Sequence, residues 1–179
     1  MIIRRRPKRA AGGSSRTMTE GRLADSEIVD LATRLRSFNW SWRLADVSVL
    51  VDAFGWQVQT TRPDWGLLDD GFGMASGRVH GRDGAVEGIE LRVTDYATDD
   101  PHGREQVRDA FAGMAVALSA SFGEPSARKP GESAEIRWAG PDTTVQLTRL
   151  GNSVRLRLAA NDYLRALDRA VELEAEGLL

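Results

Sequence analysis

Few side chains in this sequence could carry a reaction. The 179 residues include no Cys and only two histidines, His80 and His102, which stand alone in the sequence. Neither has a Ser at a spacing typical of a nucleophile and its base. Without Cys there is no disulfide, no thiolate metal ligand and no Cys nucleophile. The sequence therefore predicts no catalytic residue and favours a protein that is not an enzyme.

Glycines and acids could instead indicate a cofactor or a metal ion. Gly71-Phe72-Gly73 is not followed by a helix signal, whereas a phosphate-binding loop needs a helix N-terminus behind it. The short acidic groups lack the alternating oxygen ligands and terminal Glu of a calcium loop. These groups are Asp69–Asp70, Asp99–Asp100 and the set Glu172, Glu174 and Glu176. We therefore predict no cofactor and no metal.

One of the five tryptophans differs in setting from the others. Trp65 lies in the stretch 62–70, which contains Pro and several acids and shows no periodicity. An aromatic side chain among acids on a loop is typical of a hot spot for a protein partner. The alternative is a ring that folds back against the edge of the sheet. The other four tryptophans stand beside periodic apolar positions and are predicted to build the core: Trp40, Trp42, Trp56 and Trp138.

A second candidate surface comes from strand alternation. Arg92 and Arg157 each fall on the polar phase of a predicted strand, so both should face solvent. The polar face of such a sheet is often only solvated, and it is also a natural docking surface. Further residues on this phase are Arg78, His80, Glu90 and Arg155. The predicted partner-binding residues are Asp64, Trp65, Asp69, Asp70, Arg92 and Arg157.

Charge divides the chain into two parts. Residues before Met18 hold six basic residues and no acid, which leaves 18 of the 24 basic residues beside 26 acidic ones. An acidic body repels nucleic acid and attracts basic partners. We therefore expect a basic protein partner, with no binding to nucleic acid or to a membrane.

The basic stretch 1–17 has two interpretations. It is either an arm for nucleic acid or a membrane surface, or an upstream extension or disordered segment, which its Gly-Gly-Ser-Ser run favours. No apolar stretch follows the arginines as in a secretion signal, and no apolar run approaches the ~20 residues of a membrane span. We predict a disordered basic tail or upstream extension at 1–24, a single α+β domain at 25–179, and a cytoplasmic location.

Periodicity and turn residues predict four helices and six strands. The helices cover about 25–36, 39–53, 103–121 and 161–176, with Gly55 and Gly123 as stop signals. The stretch 62–73 reads as a loop, and Arg82-Asp83-Gly84 reads as the turn of a hairpin. The predicted strands are 56–59, 74–80, 85–95, 134–138, 143–150 and 153–159.

An internal sequence repeat predicts how these elements are arranged. Phe54-Gly55 and Phe122-Gly123 each end a helix, and each is followed by three predicted strands. The third strands also match, with Ile89-Glu-Leu-Arg-Val in one set and Val154-Arg-Leu-Arg-Leu in the other. We predict an α+β fold of two α-β-β-β units. They would share one antiparallel sheet with helices packed mainly on one face and an extra helix at each end.

The same segments carry a resemblance to a known family. The chain resembles an uncharacterised actinobacterial family, known as a domain of unknown function, over about Asp25 to Tyr163. The resemblance implies no catalytic residues, and it implies an association with secreted toxins and a role in immunity to them. The residues that carry it are Phe38-Asn-Trp-Ser-Trp, Phe54-Gly-Trp, Phe122-Gly-Glu-Pro, Glu135-Ile-Arg-Trp and Ser153-Val-Arg-Leu-Arg-Leu.

Three functions are consistent with this sequence. The first is an immunity-type inhibitor that occludes the active site of a toxin domain. The second is a secretion chaperone, which would hold an unfolded or N-terminal segment of an exported partner along the sheet. The third is an enzyme of unknown type, for which no residue can be named.

Overall fold

A computed structural model describes residues 21–179 and the backbone of a two-residue strand, β1 (Met18–Thr19). The predictions made for the basic tail therefore lie outside the described residues. The helices are α1 (Asp25–Ser37), α2 (Val47–Phe54), α3 (Pro101–Phe122) and α4 (Asn161–Ala175). The other strands are β2 (Arg22–Leu23), β3 (Gln57–Thr61), β4 (Trp65–Asp69), β5 (Gly77–Arg82), β6 (Ala85–Arg92), β7 (Ala127–Lys129), β8 (Glu135–Ala139), β9 (Thr143–Arg149) and β10 (Val154–Ala160).

Strands β3 to β10 form one antiparallel sheet in the order β3-β4-β5-β6-β10-β9-β8-β7. Each half of the sheet is a meander of four strands, and the halves meet where β6 pairs with β10. The α+β antiparallel fold predicted from the sequence is confirmed. Each repeat is α-β-β-β-β, however, because the sequence prediction missed β4 and β7.

The two matching pentapeptides pair with each other at the centre of the sheet. Ile89 lies opposite Leu158, and Leu91 lies opposite Leu156. At the far end, the Val93 amide donates to the carbonyl oxygen of Val154, 3.0 Å away. This register relates the two halves by an approximate two-fold axis through the Leu91–Leu156 pair.

One face of the sheet carries the core. Leu91 and Leu156 are 0% and 1% exposed and lie beneath α1 and α3, which pack on each other and on this face. The start of α3 is fixed by Pro101 in its first turn and by the Asp100 carboxylate, which accepts from the Gly103 amide at 2.7 Å. Further core side chains from these helices are Ile28, Leu31, Leu35, Val107, Met114 and Leu118.

The tryptophans expected in the core are found there. Trp56 and Trp138 are buried, while Trp40 and Trp42 are partly buried against the same cluster. The second helix starts later than predicted, after a 3-10 turn over Leu44–Asp46. Backbone pairing explains the delay. The Trp42 carbonyl accepts from Val86, and the Leu44 amide donates to Gly84, so this segment is held extended against the β5–β6 turn.

Strand β4 replaces part of the predicted loop at 62–73. Its side chains alternate between half-buried Trp65 and Leu67 and buried Gly66 and Leu68, which is the period of a strand. Neighbouring Pro and Gly obscured this short pattern. Burial of the whole strand between β3 and β5 supplies the stability that its own sequence does not indicate.

The opposite face, which we call the second face, carries α4. A row of small side chains crosses four strands there, from His80 in β5 to Gly88, Ala159 and Thr144 in register. These small residues leave room for the first turn of α4, where Leu164 is buried. The prediction that helices lie mainly on one face therefore holds for α1 and α3, with α4 as the exception. Among the described helices, none is both long and apolar enough to cross a membrane.

We expect Leu156→Asp to unfold the domain. It would bury an unpaired carboxylate at the point where the two halves of the sheet meet, at a cost of at least ~4 kcal/mol. Chemical denaturation monitored by circular dichroism measures this loss. Val116→Asp is the matched control, because Val116 is 72% exposed on α3. Equal losses of stability in both variants would show that the assigned core face is wrong.

Candidate functional site

The second face brings together most of the residues with chemical potential. Trp65 in β4 lies opposite His80 in β5, and Arg78 in β5 lies opposite Glu90 in β6. Glu90 in turn lies opposite Arg157 in β10. Adjacent strands therefore carry these side chains as neighbours on one surface. We call this surface the Trp–Arg patch and define it as Trp65, Arg78, His80, Glu90, Arg155 and Arg157.

Glu90 is the only acid in the Trp–Arg patch. Its Oε1 accepts from Arg155 Nη1 at 2.9 Å, and its Oε2 accepts from Arg157 Nε at 3.1 Å and from Arg157 Nη2. Burial alone would raise the pKa of Glu90, but the hydrogen bonds and charges of the two arginines outweigh it and lower that pKa. Two guanidinium groups thus share one carboxylate.

Arg78 adds a third positive charge to the patch. Its guanidinium carbon lies 5.7 Å from the centroid of the Trp65 ring, within the range of a cation–π contact. Arg78 is exposed and forms no ion pair with residues 21–179. Trp65 is half-buried. The patch therefore combines a half-buried aromatic ring with a cation that forms no ion pair within residues 21–179.

His80 lies between the sheet and α4. Its ring meets the Tyr163 ring edge-on with centroids 5.2 Å apart. It also covers Gly88 so closely that a Cβ there would come within 2.6 Å of His80 Cε1. Burial and the charge of Arg157 lower the pKa of His80, so its imidazole is neutral at neutral pH. His80 Nε2 is buried, with no hydrogen-bond partner in the described part of the chain.

An arginine farther along the sheet has the opposite balance of charge. Arg137 in β8 donates to both carboxylate oxygens of Asp168 in α4, at 2.6 and 2.9 Å, and to Glu135 at 2.5 Å. Its hydrogen bond to Asp168 raises the pKa of Arg137, and the same bond lowers the pKa of Asp168. This arginine has two carboxylates and fixes α4 to the sheet, so we regard its role as structural.

The three acids predicted to contact a partner differ in their exposure to solvent. Asp64 is exposed, as expected. Asp69 is half-buried, and its carboxylate accepts from the amides of Gly71 and Gly73 at 2.8 and 3.2 Å. Asp70 is only 2% exposed, and its carboxylate accepts from the Phe72 amide at 3.2 Å. The prediction that Asp70 contacts a partner is therefore wrong, because Asp70 is buried and both carboxylates shape the turn after β4.

Arg92 is also placed differently from the prediction. It is 4% exposed, although it follows the polar phase of β6. Its guanidinium donates to the carbonyl oxygens of Thr94 and Phe72 and lies 4.0 Å from the centroid of the Tyr96 ring. The chain after β4 and the segment after β6 cover it, which strand alternation cannot show. Arg92 therefore supports these two segments and does not face a partner.

Of the predicted residues, the structure gathers Trp65 and Arg157 into one surface. Arg78, His80, Glu90 and Arg155 had been assigned to the polar phase but not to the site. The register of the pairing singles them out. Tyr163 was missed, because nothing in the sequence indicates that α4 crosses to the second face. In the described residues, no group of three or more His, Asp or Glu side chains could hold a metal ion.

A concavity lies away from the Trp–Arg patch. It has a volume of about 620 Å³ and lies between the chain after α1 and the β8–β9 turn. Phe38 and Trp42 line one side, and Pro141 and Asp142 line the other. Its titratable lining residues are Arg36 and Asp142, which form no ion pair with each other.

The charge pairing of Glu90 predicts a pH dependence. Because the pKa of Glu90 is lowered on folding, its stabilising effect is present above its ordinary value of 4.5 and is lost as the pH falls through the folded value. Denaturation from pH 7 to pH 3 should show Glu90→Gln less stable than the parent at pH 7, with the gap shrinking below about pH 4.5. Glu174→Gln, at an exposed position in α4, is the control. A gap that stays constant with pH would contradict the assigned pairing.

We expect Arg92→Ala to lower the free energy of unfolding by about 2 to 4 kcal/mol, because two carbonyl groups lose a charged donor in a buried setting. Urea denaturation measures the change. Arg128→Ala on the exposed edge strand β7 is the matched control and should cost less than about 0.5 kcal/mol. If Arg92→Ala lowers the free energy of unfolding as little as Arg128→Ala does, Arg92 faces solvent and the assigned burial is wrong.

Comparison with known proteins gives a family but no activity. The sequence model of DUF6301, a family of unknown function, matches residues 26–160. Neither curated proteins nor solved structures gave a match. The matched region runs from α1 to the end of β10, so it contains the whole eight-stranded sheet and stops where α4 begins. Because the match spans most of the chain, this protein belongs to the DUF6301 family of unknown function.

Proposed function

We propose that this chain is a non-enzymatic protein-binding domain of the immunity type, which inhibits a toxin domain in the cytoplasm by occluding its active site. The observation that carries the proposal is the half-buried Trp65 ring beside the exposed guanidinium of Arg78 on the sheet. Trp, Tyr and Arg are the residues most enriched at binding hot spots. The Trp–Arg patch contains Trp and Arg, with Tyr163 at its border.

The patch has the rigidity that tight recognition requires. Trp65 and Arg78 stand on neighbouring central strands, so no loop has to become ordered when a partner binds. A preorganised surface loses less conformational entropy on binding. This favours a folded partner with a complementary surface, as an inhibitor of the immunity type would have.

The second face is also incompletely covered. Helix α4 packs on β10 and reaches His80 through Tyr163 and Arg137 through Asp168. The structure describes no helix that packs on the same face over β3 and β4. Leu167 and Val171 on α4, the helix that packs on this face, are also exposed. Exposed apolar side chains next to a polar surface are typical of a protein interface.

The charge of the patch changes the charge that we expect on the contact surface of the partner. Asp69 and Asp70 hold the turn after β4, so they do not supply a free acidic surface beside Trp65. Three arginines and one glutamate leave the patch positively charged. The contact surface of the toxin domain would accordingly carry acidic groups, although the body of the inhibitor is acidic.

A secretion chaperone is the second candidate, and the edge strand β3 is the observation that favours it. Gln57, Val58 and Gln59 are exposed, and among the described strands β3 pairs only with β4. An exposed edge can accept an extended segment as an additional strand. A chaperone would therefore bind an unfolded N-terminal segment at β3, whereas an inhibitor would bind a folded domain at the Trp–Arg patch.

We expect Trp65→Ala to weaken binding to a partner isolated from the native host and purified, by ~2 kcal/mol or about thirty-fold. Calorimetric titration measures the affinity, and a thermal melt of the same sample measures stability. Trp40→Ala is the matched control, because Trp40 is also partly buried but packs against the core on the other face. A lower melting temperature with unchanged affinity would show that Trp65 has only a structural role.

A further inference from the structure

We infer that the Trp–Arg patch binds carboxylate side chains on the surface of the partner. This inference rests on the proposed function and specifies its chemistry. Within the patch, Arg78, Arg155 and Arg157 face a single carboxylate, that of Glu90. Among the arginines described on the same face, Arg137 alone pairs with two carboxylates. Elsewhere on this face an arginine is thus matched by acids, whereas the three arginines of the patch share a single negative charge.

Hydrogen-bond capacity is also unused in the patch. Arg155 donates to Glu90 through Nη1, and Arg157 donates to it through Nε and Nη2. The remaining terminal nitrogens, Nη2 of Arg155 and Nη1 of Arg157, have no acceptor in the described residues. Arg155 Nε also lacks a partner there, but it is buried and is not accessible to an external carboxylate. Arg78 contributes a whole guanidinium that has no acceptor within residues 21–179. Guanidinium groups bind carboxylates through two parallel N–H···O bonds, which these free edges can supply.

The position of the arginines suits an acidic protein surface. Arg78 and Arg157 flank Glu90 on the strands to either side, so their backbones are about 10 Å apart. Side chains of one acidic loop or helix can bridge such a distance. The Trp65 ring lies beside Arg78 within the range of a cation–π contact, so it offers a partner an apolar contact next to that cation.

A nucleic acid is the other polyanion that could occupy an arginine surface. Two features favour carboxylates over a phosphate backbone. Glu90 lies at the centre of the patch, where it repels a continuous line of phosphates. Beyond residue 17, the chain has 26 acids against 18 of its 24 basic residues, which opposes long-range attraction of nucleic acid.

The test uses the full chain labelled with ¹⁵N and three probes of equal length: hexaglutamate, hexalysine and the single-stranded oligonucleotide dT₆. The NMR signals of the arginine Nε–H groups and of the Trp65 indole N–H report binding at the patch. We expect hexaglutamate to shift the signals of Arg78, Arg157 and Trp65 saturably, and 0.5 M NaCl to weaken this binding at least five-fold, because salt screens exposed charges. Hexalysine should cause no such shift.

Variants then assign the binding to the patch. Arg78→Gln combined with Arg157→Gln should weaken hexaglutamate binding at least ten-fold. Arg108→Gln, at an exposed arginine of α3, should leave it unchanged. If the double variant loses its folded spectrum, Arg78→Gln alone is used, since Arg78 makes no ion pair within residues 21–179, and a three-fold loss is expected.

Three outcomes would overturn the inference: no saturable shift with hexaglutamate, equal binding by the patch and control variants, or tighter binding of dT₆ than of hexaglutamate. Failure of the proposed function gives a different result. In that case hexaglutamate still binds at the patch, while Trp65→Ala leaves the affinity for the purified partner unchanged.

Discussion

The pairing of β6 with β10 is the interaction on which the rest of the structure depends. Each four-stranded half would leave one apolar strand face uncovered, and the register that sets Leu91 opposite Leu156 joins them into one core under α1 and α3. The same register places Glu90 opposite Arg157 on the other face. A shift by one residue would expose the leucines and bury these charges. Core and candidate site are therefore fixed by one alignment of two strands.

The second face divides into two regions with different balances of charge. Where α4 lies on the sheet, arginine and carboxylates are matched, small side chains seat the first turn, and Leu164 is buried. Where α4 does not reach, the arginines exceed the acids and Trp65 carries a cation on its ring. Proteins gain little from an unmatched charge in isolation, so this second region is where an external partner has most to add.

Local sequence signals were sufficient to predict the helices and strands that have strong periodicity and clear terminating residues. The helix ending at Phe122, the Asp83-Gly84 turn and the matching strands at Ile89 and Val154 were all predicted. Non-local effects accounted for the errors. Strand β4 is stabilised by neighbours on both sides, and Arg92 is covered by segments distant in sequence. The site was predicted in part, because alternation identifies a polar phase but cannot reveal which cations share an acid.

The row formed by His80, Gly88, Ala159 and Thr144 has an evolutionary consequence. Its small members are required only because α4 and the His80 ring lie over them, and α4 begins where the DUF6301 match ends. In a relative without this helix, larger residues at Ala159 and Thr144 would no longer compete with α4 for space, whereas Gly88 would still lie beneath the His80 ring. Substitutions at Ala159 and Thr144 should therefore be inherited together with gain or loss of the C-terminal helix, while a side chain at Gly88 requires a change at His80.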